Sequence, residues 1–313
     1  MSNINKLDLL IIGGSAAATA AAIYAARREI KFKIVSQDFG GEVSNSGQIG
    51  NYPGFEMTDG LALAGIFKKQ LEFNKVDVEL GVRIEKIDKK GEGDFVVVGS
   101  KGGQQIKYYA IAVLITTGVH PRQLNMQGEA NLRGKGVTYC TTCDGPLYRG
   151  KTVATIGGGN SALESALMLK ELCPKVYLLT INDKLKGENI YITKLKSAKN
   201  VEIIYNADTK KFIGKDRIEA VEYLDKKTGK TNKIDIQGAF IHIGLVPNSG
   251  LAPKEVKKNN FSEIEVNSLG ETSVSGIFAA GDVTNTPFKQ IAIAVGQGTS
   301  AVLRAIQYID LSR

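Results

Sequence analysis

Two cysteines separated by two residues lie in the stretch YCTTCDGPLY, near the middle of a 313-residue chain. Such a pair suits a metal site, a structural disulfide or reversible two-electron exchange. Zinc would need two more Cys or His ligands, and the candidates Cys173, His120 and His242 form no second close pair. A disulfide over so short a loop adds little stability, and the polar, turn-rich context argues against two inert buried thiols. Cys140 and Cys143 therefore predict redox chemistry and no metal.

An acidic residue accompanies the cysteine pair. Asp144 follows Cys143 directly, and its carboxyl group can carry a proton to or from a leaving thiol. A dithiol takes up two electrons, a nicotinamide supplies two as hydride, and a flavin mediates because it accepts hydride and reacts with thiolates. Together with the glycine turns described next, the pair predicts an electron relay from a nicotinamide cofactor through a flavin.

The glycine-rich turn IGGGNSA fits the dinucleotide-binding pattern G-x-G-x-x-A. Residues 153–156 predict a strand before it, residues 161–172 a helix after it, and residues 176–180 the next strand. The first glycine permits the tight turn, the second lets backbone N–H groups approach a pyrophosphate, and the alanine lets helix and strand pack closely. The residues predicted to bind a nicotinamide nucleotide are Gly157, Gly159, Asn160, Ser161 and Ala162.

A less regular glycine turn follows the first predicted strand. Leu7–Ile12 reads as an apolar run, typical of a strand buried on both faces of a parallel sheet, and residues 16–28 predict a helix. In the turn GGSAAA, Gly13 holds the first position of the pattern, but Ser15 and Ala18 hold the second and third. We expect either a slight shift of the loop or a hydrogen bond from the Ser15 hydroxyl to a phosphate, and the hydroxyl can also cap the helix.

Composition narrows the class of protein. The chain has 35 glycines, 43% hydrophobic and 23% charged residues, as in globular proteins whose backbone approaches ligands closely. The net charge of +8 comes from scattered lysines, which favours a solvated surface over nucleic-acid binding. No apolar stretch suits a bilayer span, and the N-terminus lacks a secretory signal. We expect a cytoplasmic protein that binds neither nucleic acid nor membrane.

Further motifs make the chain resemble the low-molecular-weight thioredoxin reductase family, the class II pyridine nucleotide-disulfide oxidoreductases. The motifs NYPG, TTG, CTTCDG, GLVPN, FAAGDV and KQIAIAVGQG occur in that family's order. The chain is also similar to the flavoprotein subunit of alkyl hydroperoxide reductase, which carries an additional N-terminal thioredoxin-like module. In peroxide defence, the present chain would first have to reduce a separate small redoxin.

The resemblance implies an α/β fold of two Rossmann-like three-layer domains, the second inserted into the first. Residues 1–117 and 246–313 would form an FAD-binding domain, and residues 118–245 a nicotinamide-type nucleotide-binding domain that carries the dithiol. The family members are homodimeric thioredoxin-disulfide reductases, so the implied partner is thioredoxin or a glutaredoxin-like protein.

The resemblance also assigns roles to individual residues. Cys143 would face the flavin, Cys140 would attack the disulfide of the redoxin, and Asp144 would be the acid/base. Two positions depart from the family's usual residues, with Glu42 in place of Gln and Lys289 in place of Arg. The residues implied to bind FAD are Gly13, Ser15, Ala16, Ala17, Gly41, Glu42, Asn51, Thr117, Gly118, Gly281, Asp282, Lys289, Gln290 and Ile291.

The sequence element that selects NADPH is missing. Members of the family that use NADPH carry His-Arg-Arg…Arg after the second strand of the nicotinamide domain, and the arginines clamp the ribose 2′-phosphate. Here Thr180, Ile181 and Asn182 replace the first three residues, and Lys186 replaces the last. We therefore expect NADH rather than NADPH as the donor, with reduced deazaflavin or ferredoxin as alternatives to test.

Two other functions stay open at this point. A dithiol oxidase would pass electrons to oxygen; relatives of that kind also lack the clamp, but they tend to lose the second glycine turn, which is present here. A nucleotide-sensing protein with a vestigial dithiol would tolerate the substitutions Cys140→Ser and Cys143→Ser, although the intact pair and its adjacent aspartate argue against this function.

Overall fold

The computed structural model describes residues 6–46 and 48–312, and the chain divides into two compact units. The described residues of the first unit are 6–46, Tyr52–His120 and 246–312, and those of the second are 48–51 and Pro121–Leu245. Most of the second unit is therefore inserted, in sequence, into the first.

Both units contain strands and helices. The strands are β1 (Leu7–Ile12), β2 (Phe32–Ser36), β3 (Gln48–Ile49), β4 (Thr58–Asp59), β5 (Val78–Leu80), β6 (Val82–Gly91), β7 (Asp94–Lys101), β8 (Gln104–Ile115), β9 (Val119–Pro121), β10 (Val137–Thr138), β11 (Thr152–Ile156), β12 (Lys175–Leu179), β13 (Val201–Ile204), β14 (Ala207–Gly214), β15 (Ile218–Asp225), β16 (Thr231–Asp235), β17 (Gly238–Ile241), β18 (Leu245–Pro247) and β19 (Ile277–Ala279). The helices are α1 (Ala16–Arg27), α2 (Gly60–Phe73), α3 (Glu129–Leu132), α4 (Thr141–Asp144), the 3₁₀ turn Gly145–Tyr148, α5 (Asn160–Lys170), α6 (Asn189–Lys196) and α7 (Ile291–Ser312).

The first unit is built on a sheet with the strand order β5–β2–β1–β8–β7–β6, and β19 also pairs with β8. The pairs β5–β2, β2–β1, β1–β8 and β8–β19 are parallel. All six residues of β1 are buried, including Asp8, a polar residue that interrupts the apolar run. The Asp8 carboxylate accepts a hydrogen bond from the backbone N–H of Lys31, 2.7 Å away, which makes its burial tolerable.

Helices α1 and α7 pack against each other in the first unit. Gly298 of α7 lies so close to the carbonyl group of Ala17 that a Cβ atom would overlap it. The small residues on both helices therefore permit this close approach.

Strand β8 serves two pairings. Its first half pairs antiparallel with β7, and its second half pairs parallel with β1 and β19. Residues 95–118 predict short antiparallel strands from the sequence, and this is confirmed for β7 and the polar first half of β8. The second half has the apolar sequence AIAVLI, which suits a position between two parallel neighbours.

The second unit has a parallel sheet with the strand order β10–β17–β11–β12–β13 and a separate antiparallel sheet β14–β15–β16. Residues 217–244 predict short antiparallel strands, and this is wrong for β17. All four β17 residues are buried, and the strand pairs parallel with β11, with Val153 opposite Gly238 and Ile156 opposite Ile241. Apart from this strand, the predicted fold of two Rossmann-like α/β units is confirmed.

Across the part of the chain that the structure describes, no helix combines the length and apolar character that a bilayer span requires.

Candidate active site

Cys140 and Cys143 form a disulfide in the second unit, with their Cα atoms 5.3 Å apart. Cys140 immediately precedes α4, and the backbone N–H of Cys143 donates to the Cys140 sulfur at 3.2 Å. Both cysteines are half-buried. A disulfide in such a position is supported by the fold and still partly accessible, as exchange with another dithiol requires.

Asp144 ends α4 and is held by a neighbouring strand. The hydroxyl group of Thr138, at the end of β10, donates to Asp144 Oδ2. Burial raises the pKa of Asp144 above its ordinary value, and the hydrogen bond from Thr138 partly opposes this shift. The carboxyl group therefore holds a proton to higher pH than an exposed aspartate, which suits proton transfer to a thiolate.

Thr141, which lies between the two cysteines in sequence, belongs to a hydrogen-bonded cluster. Thr141 Oγ1 lies 2.7 Å from His242 Nε2 and 2.6 Å from Ser165 Oγ, and Ser165 Oγ lies 3.4 Å from Thr155 Oγ1. The sequence singles out His242 only as a poor zinc candidate and gives no sign of the cluster. Its one usable signal is position, because His242 follows β17 and the carboxyl ends of parallel strands lie at one edge of a sheet.

The turn between β11 and α5 has the shape that a pyrophosphate requires. A Cβ atom on Gly157, whose φ is +145°, would overlap the carbonyl oxygen of His242, whereas a Cβ atom on Gly159 would meet nothing within 4 Å. The first glycine is therefore needed for packing, and the second faces open space. No side chain of the described residues caps the N-terminus of α5, so its backbone N–H groups can bind an anion. Ala162 is fully buried.

The loop after β12 lies against this glycine turn. The backbone N–H of Lys186 donates to the carbonyl oxygen of Gly158 at 2.7 Å. A Cβ atom on Gly158 would lie 2.6 Å from Thr180 Oγ1 and 3.7 Å from Asn182 Nδ2. The side chains that face the turn from the end of β12 are therefore neutral.

The first glycine turn is also closely packed. Gly13 has a φ of +130°, and a Cβ atom there would overlap the carbonyl oxygen of Thr116. The expectation that Ser15 caps α1 is wrong, because its hydroxyl donates instead to the carbonyl oxygen of Gly40 at 2.6 Å and makes no cap hydrogen bond. The N-terminus of α1 is thus left open to an anion.

Asp282, which follows β19, has a buried acceptor atom without a partner. The side-chain oxygen Asp282 Oδ1 is buried and has no hydrogen-bond partner among the described residues. Burial raises the pKa of Asp282 to about 6; the positive charge of Lys289 lowers it and the negative charge of Glu42 raises it. Such an atom fits a hydroxyl group of a bound ligand.

Lys289, the replacement for the family's Arg, is itself engaged. Its ammonium group pairs with Glu263 Oε1 at 2.8 Å and donates to the carbonyl oxygen of Thr284 at 2.7 Å. The positive charge of Lys289 therefore lies close to Asp282, but its N–H groups donate to Glu263 and Thr284.

Hydrogen bonds join Thr117 and Gly118 to Asn248 of the GLVPN motif. Asn248 Nδ2 donates to the carbonyl oxygen of Thr117 at 2.8 Å, Thr117 Oγ1 donates to the carbonyl oxygen of Asn248 at 2.7 Å, and the Asn248 N–H donates to the carbonyl oxygen of Gly118. These hydrogen bonds join Asn248 to Thr117 and Gly118 within the first unit.

Most of the residues implied to bind FAD lie in the first unit, and Asn51 lies in the second. Contacts join several of them: a Cβ atom on Gly281 would touch Ala17 at 3.2 Å, and one on Gly41 would touch Ser15 at 3.6 Å. The implied residues that share the first unit are Gly13, Ser15, Ala16, Ala17, Gly41, Glu42, Thr117, Gly118, Gly281, Asp282, Lys289, Gln290 and Ile291.

Residues 7–298 match the model of a protein family described as pyridine nucleotide-disulphide oxidoreductase. The chain is 40% identical over 304 residues to a subunit of the alkyl hydroperoxide reductase of Escherichia coli (strain K12), covering 96% of this chain and 58% of that protein. It is 37% identical over 302 residues to a protein of Bacillus subtilis (strain 168) named NADH dehydrogenase, with the same two coverages. The chain thus spans less than two thirds of the length of these curated relatives.

A solved structure resembles the whole chain. The thioredoxin reductase from Streptococcus pyogenes MGAS5005 has a TM-score of 0.91 and 32% sequence identity, with coverage of 98% of this chain and 99% of that one. The similarity therefore extends over both units of the fold.

Proposed function

Because this chain belongs to the pyridine nucleotide-disulphide oxidoreductase family, we propose that it passes electrons from NADH through FAD to the Cys140–Cys143 disulfide. FAD and NAD(P)H are the cofactors of this family. The dithiol then reduces a small redoxin, thioredoxin or a glutaredoxin-like protein. The observation that carries the proposal is the half-buried disulfide beside an aspartate of raised pKa, in the same unit as an open glycine turn.

The first unit fits FAD by its donors and acceptors. The uncapped N-terminus of α1 would hold the pyrophosphate, and the unpartnered Asp282 Oδ1 would accept a hydrogen bond from a hydroxyl group. When bound, FAD supplies two-electron transfer between a nicotinamide and a disulfide. The second unit fits the nicotinamide nucleotide, whose pyrophosphate would lie where Gly159 faces open space.

The cysteine chemistry follows from two thiols that open and close one bond. Two electrons and two protons convert the disulfide into two thiols, and Asp144 can donate a proton to one of them. Cys140 then gives up its thiol proton and attacks the disulfide of the redoxin, so that a mixed disulfide forms while one redoxin thiolate leaves and takes up a proton. Cys143 attacks this mixed disulfide, which releases the reduced redoxin and restores the Cys140–Cys143 bond.

We propose NADH rather than NADPH because of the side chains at the end of β12. Thr180 and Asn182 face the glycine turn with neutral groups, and Lys186 contacts the turn through its backbone N–H. A 2′-phosphate binds best to guanidinium groups that make two hydrogen bonds each, and none follows β12 in the described loop 180–188. A homodimer in the cytoplasm completes the proposal, and sedimentation equilibrium would measure its mass.

The donor can be tested by mixing the FAD-loaded protein with NADH or NADPH without oxygen and following the bleaching of the flavin. We expect NADH to act at least about tenfold faster, and Asn182→Arg to speed the reaction with NADPH while leaving that with NADH unchanged. Faster bleaching by NADPH would contradict the assignment. If only reduced ferredoxin or deazaflavin bleaches the flavin, that compound replaces NADH as the assigned donor. If the protein forms hydrogen peroxide from oxygen and a small dithiol, it is an oxidase.

The two glycines of the second turn offer a matched pair of substitutions. Gly159→Ala adds a methyl group where nothing lies within 4 Å, so we expect about tenfold weaker NADH binding with little change in thermal stability. Gly157→Ala forces a side chain into the carbonyl group of His242 at a φ of +145°, so we expect a lower melting temperature. Titration calorimetry and thermal unfolding measure both. If Gly159→Ala binds NADH as tightly as the native chain, the turn is not part of the nucleotide-binding site.

A further inference from the structure

We propose that His242 is a positioning residue for the dithiol: through Thr141 it holds the backbone between the two cysteines and thereby favours the disulfide form. The inference rests on the proposed function in one respect, namely that the cysteine pair opens and closes. It concerns the equilibrium between disulfide and dithiol, which can be measured without FAD or NADH.

Thr141 is the link between the cluster and the cysteines. It follows Cys140 directly, begins α4 and is buried, with 5% of its surface exposed. Its hydroxyl oxygen lies 2.7 Å from His242 Nε2 and 2.6 Å from Ser165 Oγ. One hydroxyl group has one proton and two lone pairs, so it can donate to one of these partners and accept from the other.

His242 is a fixed anchor because the parallel sheet holds its backbone. Its N–H donates to the carbonyl oxygen of Ile156 at 2.8 Å, and its own carbonyl group lies directly against Gly157. When the backbone between the two cysteines moves, the His242 side chain can therefore move with it only slightly. Ser165 lies on α5 and Thr155 on β11, so two further elements of the same unit hold the other end of the cluster.

The imidazole ring stays neutral over the range in which thiols titrate. Burial lowers the pKa of His242 to about 4. A neutral ring carries one proton, and Nε2 accepts or donates according to the tautomer. In both tautomers the hydroxyl groups of Thr141, Ser165 and Thr155 can point in one direction along the cluster, so its hydrogen bonds persist when the cysteines change state.

The anchor affects the two redox states unequally. In the disulfide, the S–S bond itself fixes the turn, with the Cα atoms of Cys140 and Cys143 5.3 Å apart. After reduction, only the surrounding contacts keep the two thiols close together. Thr141 and His242 therefore restrict the dithiol more than the disulfide, and they lower the conformational freedom that reduction would otherwise gain. Removing the anchor should make the pair easier to reduce.

The test is a redox titration of the purified full chain in mixtures of reduced and oxidised dithiothreitol. The reagent gives two electrons and two protons to the disulfide and becomes a cyclic disulfide itself; alkylation and mass spectrometry then count the protein thiols. We expect His242→Leu and the isosteric Thr141→Val each to shift the equilibrium constant about tenfold toward the dithiol, which corresponds to about 30 mV. His242→Gln, which keeps a polar group able to reach Thr141, should restore most of the native value.

Controls separate positioning from general damage. Thr209 is another buried threonine of the second unit, but its hydroxyl oxygen has no hydrogen-bond partner in the part of the chain that the structure describes. Thr209→Val should therefore titrate like the native chain. The double variant of Thr141→Val and His242→Leu should shift no further than either single variant, because both remove the same link. If His242→Leu fails to fold, Thr141→Val alone decides the question.

A native titration midpoint in folded Thr141→Val, or additive shifts in the double variant, would overturn the inference. A disulfide that dithiothreitol cannot reduce would overturn it together with the proposed function. If the cysteines titrate as expected while NADH fails to bleach the flavin, the proposed donor is wrong and the positioning role stands.

Discussion

The Cys143→Ser variant is expected to lose the reduction of redoxins by at least about a thousandfold, while NADH still bleaches its flavin at close to the native rate. The disulfide of the native chain joins Cys140 and Cys143, and neither can close it alone. In the proposed function, hydride transfer would use the glycine turn and FAD and would not need the disulfide. Insulin reduction coupled to thioredoxin measures the first activity, and anaerobic stopped-flow absorbance measures the second.

The same variant distinguishes the two cysteines. If Cys140 attacks the redoxin, the Cys143→Ser variant keeps that nucleophile but has no thiol to resolve the mixed disulfide, so a covalent complex should accumulate on a non-reducing gel. Cys140→Ser should form none. If only the Cys140→Ser variant forms the complex, Cys143 is the cysteine that attacks the redoxin and Cys140 the one that resolves the mixed disulfide. If both variants keep full activity, the nucleotide-sensing function is the better account.

Cys173 provides the matched control for these substitutions. Its thiol is buried and donates to the carbonyl oxygen of Tyr148 at 3.2 Å, and burial raises the pKa of Cys173, so the sulfur stays protonated and unreactive. Cys173→Ser should therefore keep both activities. A large loss in this variant would show that serine substitution disturbs the second unit as a whole.

The features that could be predicted from the sequence are those set by neighbouring residues. A strand buried on both faces has an apolar run, and a turn that approaches a phosphate needs glycine, so β1, β11 and the turn at Gly157 follow from short stretches. Strand β17 shows the limit of this reasoning. Its four residues suit an antiparallel or a parallel neighbour equally well, and only its pairing with β11 decides between them.

The features that could not be predicted depend on distant partners. Thr141 and His242 are 101 positions apart, and no spacing rule joins a threonine of a C-x-x-C turn to a histidine after a strand. Ser15 occupies the position of a helix cap, but its hydroxyl group donates a hydrogen bond to the carbonyl oxygen of Gly40, 25 residues away. Lys289 similarly pairs with Glu263, which carries no motif of its own. In each case a contact across the fold overrides a local preference.

Asp282→Asn is expected to weaken FAD binding about a hundredfold, because the amide is a weaker acceptor than the carboxylate, whose Oδ1 atom has no partner among the described residues. FAD fluorescence and equilibrium dialysis measure the affinity. The matched control is Asp310→Asn, which changes an exposed carboxylate of α7 that lies 3.9 Å from Arg28, and it should bind FAD like the native chain. Equal affinities in both variants would exclude Asp282 from the cofactor site.

The same substitution should stabilise the FAD-free protein, and only at the higher pH. Asp282 has a pKa of about 6 in the folded chain against an ordinary value of 3.8, so the folded state keeps a proton that the unfolded state releases. Stability of the native apoprotein therefore falls as the pH rises from about 4 to about 6 and then levels off, with a total cost on the order of 3 kcal/mol. Asp282→Asn has no such proton, so its melting temperature should exceed the native one by several degrees at pH 7.5 and match it closely at pH 4. A difference that is the same at both pH values would mean that the carboxyl group does not titrate in this window. In the FAD-loaded native protein the slope should be smaller, since a hydroxyl group that donates to Oδ1 favours the carboxylate and lowers the pKa toward its ordinary value.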